Sequence, residues 1–419
     1  MTVPASVLVV GGGVAGFGTV RELRRRGFEG KLTLVDPQGL PYDRPPLSKD
    51  FLTGETDAHR LLFAPPAWFA EHAVELVTAR VDRMDLTGEH PAAVLDDGTV
   101  RAADAVVLAP GGRPRPLDVP GGDRPGVLVL RTRADAEAIA ARLHFGARVV
   151  VVGAGLTGSE VASAAREAMA EVTLVSASPA PAAAAVGPAL AARLHALHAA
   201  RGVDVVQGRV LRIEHADDAP GLDAPHRVHV ALADGGEAAL DADLVVAAVG
   251  ILPDAALAAE AGLELAVDGG ILVDAAQRTS DPRVLAVGDA ARRRDAAYAA
   301  PAMHWEPALQ DAADAAAALL GEDLPERGAP WFWSDRHGVH VEGVGAMRPP
   351  EGGRIVDREV RGTVVASFAL AADGAMVGAA SVDDPMAVKA ARRIVDRGIV
   401  VDPERLADPS VPVKALLRG

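Results

Sequence analysis

The sequence predicts an α/β protein built on two Rossmann-like nucleotide-binding units, and three observations carry that expectation. First, "SVLVVGGGVAGFGTVRELRRRGFEGKLTLVD" near the N-terminus and "ARVVVVGAGLTGSEVASAAREAMAEVTLVS" roughly 140 residues later share one layout. Each is an apolar run, a glycine loop, a helical stretch and a second run rich in β-branched residues, the pattern of a β-α-β unit. Second, the glycines fall at matching places: Gly11, Gly13 and Gly16 in one copy, Gly153, Gly155 and Gly158 in the other. Third, further short apolar strands run into glycine turns, "DAVVLAPGG" at 104–112 and "TSDPRVLAVGDAA" at 279–291.

Within each loop the glycines have separate mechanical tasks. The first allows a tight turn, the second lets backbone approach a pyrophosphate, and the third lets helix and strand pack closely with the phosphates at the helix N-terminus. Such turns also occur in α/β proteins that bind nothing there, so the strand ends carry more weight. "KLTLVDPQG" at 31–39 ends in Asp36, 20 residues beyond Gly16, where a ribose-binding carboxylate belongs. "VTLVSASPA" at 172–180 has Ser176 at that place instead.

Farther along, the strand within 279–291 ends in Gly288-Asp289, and "EPALQDAADAAAALLG" reads as a helix with Pro307 as its first residue and Gly321 as its stop. "GGRPRPLDVPGG" and "AAVGILPD" are Gly- and Pro-bearing stretches suited to crossings between domains.

Composition narrows the function. The 419 residues suffice for two or three domains, and 49% apolar with 24% charged residues is ordinary for a globular protein. No apolar run approaches the roughly 18 residues of a membrane span, and no charged leader precedes the first strand, so a cytoplasmic protein is expected. A net charge of -15 argues against nucleic acid or anionic membrane as a general partner. Cysteine is absent, which removes disulfide, thiolate and CxxC chemistry, and the 12 scattered histidines suggest no metal site. Redox chemistry here must be carried by something bound.

"PYDRPPLSKDFLTG" at 41–54, "LRTRADA" at 130–136, "AVGDAARRR" at 286–294 and "PWFWSDRHG" at 330–338 occur in an order that resembles the FAD-dependent ferredoxin reductase family. These are the reductase components of bacterial cytochrome P450 and ring-hydroxylating dioxygenase systems. The resemblance covers essentially the whole chain. It implies two Rossmann-like domains, for FAD and NAD(P), plus a C-terminal α+β domain in a glutathione-reductase-like architecture. The FAD domain would comprise 1–112 and 244–325, the NAD(P) domain 113–243, and the C-terminal domain 326–419.

The same resemblance implies roles for individual residues. Ala15 and the first glycine loop would meet the FAD pyrophosphate, Asp36 the adenosine ribose, and Val81 the region of the adenine. Lys49 would lie beside the isoalloxazine, Asp289 would hold the ribityl chain, and Ala308 would approach the pyrimidine edge. Arg44, Ala109, Arg131 and Gly250 would complete the cofactor contacts. Glu160, two residues beyond Gly158, would oppose Lys49 where the nicotinamide enters. A cation near the flavin N5 favours its anionic reduced form. Hydride would pass from NADH or NADPH to FAD, and electrons would leave singly to a [2Fe-2S] ferredoxin. Trp331 and Trp333 would cover the flavin's exposed face. For an acidic carrier, the docking patch would be Arg292, Arg293 and Arg294 with Arg336 and His337. A monomer or weak homodimer is expected.

Four features depart from the family pattern: Pro110 before Gly111, His304 and Trp305 before Glu306, Ser176 at the second strand end, and no arginine from 177 to 189. The last two predict relaxed nicotinamide selectivity, because neither the carboxylate that favours NADH nor the arginine that accepts a 2'-phosphate is present. Two other readings fit the residues: a same-fold NAD(P)H oxidoreductase for rubredoxin, quinone, monodehydroascorbate or oxygen, and a flavin-binding interaction protein with impaired nicotinamide use.

Overall fold

The structure, a computed structural model, describes residues 3–215, 225–295 and 303–418. Contacts divide the chain into two compact units. The first comprises Met1–Arg44, Ala58–Arg113 and Ile251–Arg327, and the second Pro45–Asp57, Pro114–Gly250 and Gly328–Gly419.

The first unit is organised by a parallel sheet in the order Val284–Ala286, Ala105–Leu108, Ser6–Val10, Lys31–Val35, Val74–Val77. The chain leaves the central strand toward one edge and later returns to its other side, so the strand order reverses at Val10. In open α/β sheets that reversal is where a ligand crevice forms. The helix Val14–Arg25 buries Phe17, Val20 and Leu23, spaced for one helical face, against Val9, Leu34 and Val107. Its neighbour Trp305–Leu320 is rich in alanine, and the two helices approach closely: a β-carbon at Gly18 would lie 3.0 Å from Leu309 and 3.1 Å from Ala312.

The second unit repeats the layout. Strands Asp204–His215, Glu171–Ser176, Arg148–Val152, Leu244–Ala247 and Val127–Leu128 run parallel, and an antiparallel hairpin, His226–Leu232 with Glu237–Ala242, extends the sheet. The domain crossing expected at 243/244 differs here. Leu244–Ala247 pairs in register with Val149–Val152, so this sheet keeps the strand, and the unit runs on to Gly250.

The same unit carries a five-stranded antiparallel sheet in the order Trp331–Arg336, Val339–Gly345, Met376–Val382, Thr363–Leu370, Arg354–Val360. One face packs on the helix Pro385–Asp396 through Phe368, Ala379, Val388 and Ile394, and the other on the helix Pro188–Ala200 through Val341, Ala380, Leu190 and Leu194. His337 and Gly338, at φ +51° and +75°, form a two-residue hairpin turn whose twist suits the flanking strands.

The helix expected from Pro307 begins two residues earlier, at Trp305, because His304 is extended and the Trp305 indole is anchored to Asp43 at 2.9 Å. It ends as expected at Gly321, which adopts the left-handed conformation. Among the described residues no helix is long and apolar enough to cross a membrane.

Candidate functional site

The first glycine loop has the shape of a phosphate cradle. Gly11 sits at φ +103° and donates its N–H to Val35 at 2.8 Å. A β-carbon there would lie 2.2 Å from the Ala109 carbonyl oxygen, and one at Gly16 would lie 1.8 Å from the Gly11 oxygen. Any side chain at either position would collide with backbone. At Gly13 such an atom would meet nothing within 4 Å, so the loop is open on that side. Gly13 caps Val14–Arg25 without a side-chain hydrogen bond and with no acid in the first turn. The first-turn N–H groups are therefore available to an anion.

Asp36 closes this cradle at the end of the second strand. It is 8% exposed, and its two carboxylate oxygens accept from the N–H of Gly12 at 2.6 Å and of Gln38 at 2.7 Å. Gly12, Gly13, Asp36, Gln38, Tyr42 and Arg44 line a depression beside it. Gln38 and Tyr42, hydrogen-bonded to each other, carry no signal of a role in the sequence, though both stand inside the stretches at 31–39 and 41–54. Val81 is buried with Val10 and Val35. Ala15, Gly288 and Ala308 converge: a β-carbon at Gly288 would lie 2.8 Å from that of Ala15 and 3.7 Å from that of Ala308.

The second loop matches the first feature by feature. Gly153, at φ +104°, donates to Val175 at 2.9 Å. Its missing β-carbon would be 2.4 Å from the Ala248 oxygen, that of Gly158 would be 1.9 Å from the Gly153 oxygen, and that of Gly155 would meet nothing within 4 Å. The helix Leu156–Glu167 likewise starts without a side-chain cap or a first-turn acid. The strand end departs from the first copy. Ser176 is 1% exposed, and its hydroxyl donates to the Ser178 carbonyl at 2.7 Å, so it is spent on the local turn.

Lys49 and Glu160, 111 positions apart in the sequence, meet in the second unit: Nζ lies 3.2 Å from Oε1, with side chains 12% and 7% exposed. Lys49 also donates to the Pro45 carbonyl at 3.2 Å and sits 5.9 Å above the Trp333 ring, which stacks on Trp331. An ion pair this buried needs further hydrogen bonds to offset its desolvation. Glu160 receives them from the Ser48 hydroxyl at Oε2 and from the Ser334 hydroxyl, 2.5 Å from Oε1. Both serines stand inside quoted motifs, "PPLSK" and "PWFWSD", without having been given a role. Arg131 precedes the helix Arg133–Ala140, its N–H bonded to Asp135, and Gly250 at φ +103° accepts from the Arg115 N–H at 2.9 Å.

The expected docking patch needs correction. Arg292 is 8% exposed and turned inward, pairing with Asp268 at 2.6 Å and donating to the carbonyls of Asp289 and Ala291. Arg336 is 5% exposed and donates to Ser334 at 2.8 Å, and His337 is buried against His198. Arg293 pairs with Asp295, and Arg294 with Glu264. A run of arginines resembles a basic surface, yet each of these side chains has a local partner. Among the described residues no cluster of metal-ligating side chains occurs.

Known proteins match the chain over nearly its whole length. Residues 5–310 match the pyridine nucleotide-disulphide oxidoreductase family, and 331–417 match the reductase C-terminal family. The chain is 33% identical over 411 residues, 98% of each chain, to the ferredoxin–NAD(+) reductase component of the p-cumate 2,3-dioxygenase system of Pseudomonas putida. It is 34% identical to Putidaredoxin reductase CamA of the same organism, covering 98% of this chain and 96% of that one. Among solved structures, the covalent putidaredoxin reductase–putidaredoxin complex matches with a TM-score of 0.89 at 33% identity, over 99% of this chain and 98% of that chain.

Proposed function

The chain belongs to the pyridine nucleotide-disulphide oxidoreductase family, and from that premise we propose that it is an FAD-dependent NAD(P)H:ferredoxin oxidoreductase of a cytochrome P450 or ring-hydroxylating oxygenase system. The observation that carries this reading is the pair of glycine loops with uncapped helix N-termini in a chain that has no cysteine. Two dinucleotides have a place, and no protein dithiol can stand between them. Bound FAD supplies the exchange between a donor of electron pairs and a carrier of single electrons.

The chain's own residues hold and orient. The first loop with Asp36, Ala109, Asp289 and Ala308 is assigned to FAD, and the second loop to the nicotinamide nucleotide. Lys49 provides fixed positive charge where negative charge arrives, and Glu160, held by Ser48 and Ser334, orients the nicotinamide carboxamide. Both NADH and NADPH are proposed as donors, because Ser176 offers no carboxylate to repel a 2'-phosphate and 177–189 offers no arginine to attract one. The partner is a small ferredoxin, and the setting proposed is a cytoplasmic monomer or weak homodimer. Relatives matched over nearly their whole length are named ferredoxin reductases, which gives no support to the flavin-binding interaction protein.

The test is FAD stoichiometry of the purified chain, followed by NADH-dependent cytochrome c reduction with and without a [2Fe-2S] ferredoxin. Stoichiometric flavin and a rate that requires ferredoxin are expected. Absence of flavin, or a rate indifferent to ferredoxin, would contradict the reading.

A further inference from the structure

We propose that Asp311 is a positioning residue for the FAD site, fixing the Gly288–Asp289 turn from below through a buried charge network. The inference rests on the assignment of the first unit to FAD and adds to it a residue that touches no cofactor.

The turn is held from two sides. Gly288, at φ +74°, lies where Ala15 and Ala308 come together, and its N–H donates to Asp311 Oδ2 at 3.0 Å. On the other side Arg292 donates to the Asp289 carbonyl at 2.9 Å and to the Ala291 carbonyl at 2.7 Å. Asp289, whose side chain is assigned to the ribityl chain, is thus carried on a backbone segment anchored at both ends.

The anchor on the helix side is itself secured. The other oxygen of Asp311 pairs with Arg327 Nη2 at 2.6 Å, and Arg327 Nε pairs with Asp314 Oδ2 at the same distance. Gln277, fully buried at φ +63°, joins them: its amide donates to the Ala286 carbonyl at 2.9 Å and accepts from Arg327 at 2.8 Å in the orientation that satisfies both groups. The side chains of Asp311 and Asp314 are 14% and 2% exposed, and burial pushes both carboxyls above their ordinary range, with Arg327 opposing.

Around these acids the helix reads "DAADAAAALLG", in which alanine satisfies the packing. Two buried carboxylates sharing one guanidinium are costly in such a setting. Asp311 is explained by the N–H it receives from Gly288, a half-buried backbone donor that an alanine at this helix position could not satisfy. Asp314 is explained by Arg327, with which it pairs alongside Asp311.

The experiment compares Asp311→Ala, Asp311→Asn and Asp314→Ala with the wild type, measuring the FAD dissociation constant of apoprotein by flavin fluorescence and Tm of the apo and loaded forms. Losing a hydrogen bond to a charged group predicts an FAD affinity lower by about tenfold or more in Asp311→Ala. Asp311→Asn, which keeps the shape and can still accept from Gly288, should lose less, and it serves as the informative variant should the alanine variant not fold. Asp314→Ala should lower Tm while leaving FAD affinity near that of the wild type. Equal affinity in Asp311→Ala and the wild type, or equal losses in Asp311→Ala and Asp314→Ala, would overturn the proposal while leaving the FAD assignment in place. A wild-type chain that takes up no FAD would overturn both.

Discussion

The two glycine loops are near copies in backbone and opposites at the strand end. Each has a first glycine pressed against a neighbouring carbonyl, a second facing open space, a third packed on the first, and a 12-residue helix with no side-chain cap. In the first copy Asp36 reaches back to Gly12 and remains at the loop. In the second, Ser176 turns to Ser178 and leaves the loop. On the proposed reading, phosphate binding rests on backbone that both copies keep, whereas ribose discrimination would rest on a side chain that the first copy has and the second lacks.

The largest effects should come from the backbone half of that comparison. Gly16→Ala places an atom against the Gly11 oxygen and should give protein without bound flavin. Gly158→Ala does the same against the Gly153 oxygen and should give a yellow protein that nicotinamide nucleotides no longer bleach. Absorbance of the purified variants, before and after anaerobic NADH, checks both. A Gly158→Ala variant that bleaches normally would break the equivalence of the two loops.

Smaller changes should follow at the strand ends. Asp36→Ala removes an oriented carboxylate and should weaken FAD binding about tenfold to a hundredfold, read from flavin fluorescence on dilution. Ser176→Glu should restore discrimination, raising the NADH over NADPH ratio by about tenfold through 2'-OH recognition and repulsion of the 2'-phosphate. No change in that ratio would mean that selectivity is set elsewhere in the second unit.

The subtlest effect concerns acid. Burial holds His198 at about 3, and His226 and His337 at about 4, against 6.5 for a free histidine, and all three belong to the second unit. With the folded-state values depressed, the folded chain binds fewer protons than the unfolded one. The corresponding stability is therefore complete above 6.5 and is lost as the pH falls toward the folded values. At pH 5 the loss from His198 alone is about 2 kcal/mol. Calorimetry at pH 7.5 and pH 5 should show a lower Tm in acid. Desolvation lowers His304 as well, which adds to the same trend in the first unit.

What the sequence revealed follows the same division. Glycine loops, strand ends and the Gly-Asp turn are local patterns, and each could be read from its own neighbours. The Lys49–Glu160 pair joins distant segments, so only the family resemblance points to it, and nothing local in the sequence marks Ser48 and Ser334 as the groups that hold Glu160. Arg292 and Arg336 do not read as buried in the sequence, because their burial is decided by tertiary packing, beside Asp268 for Arg292 and near Glu160 for Arg336, that a run of like charges does not reveal. The strand at 244–247 joins the second unit's sheet, which its sequence does not show because an apolar run does not name the sheet it joins.

The most direct test of the comparison is anaerobic stopped-flow reduction of the bound flavin by NADH and by NADPH, for the wild type and for Ser176→Glu. An end without an acid or an arginine predicts that both donors bleach the wild-type flavin, with second-order constants within about tenfold of one another, and that the glutamate moves the ratio toward NADH. A wild type that already discriminates by about a hundredfold or more would contradict the account, because selectivity would then arise without any group at the second strand end.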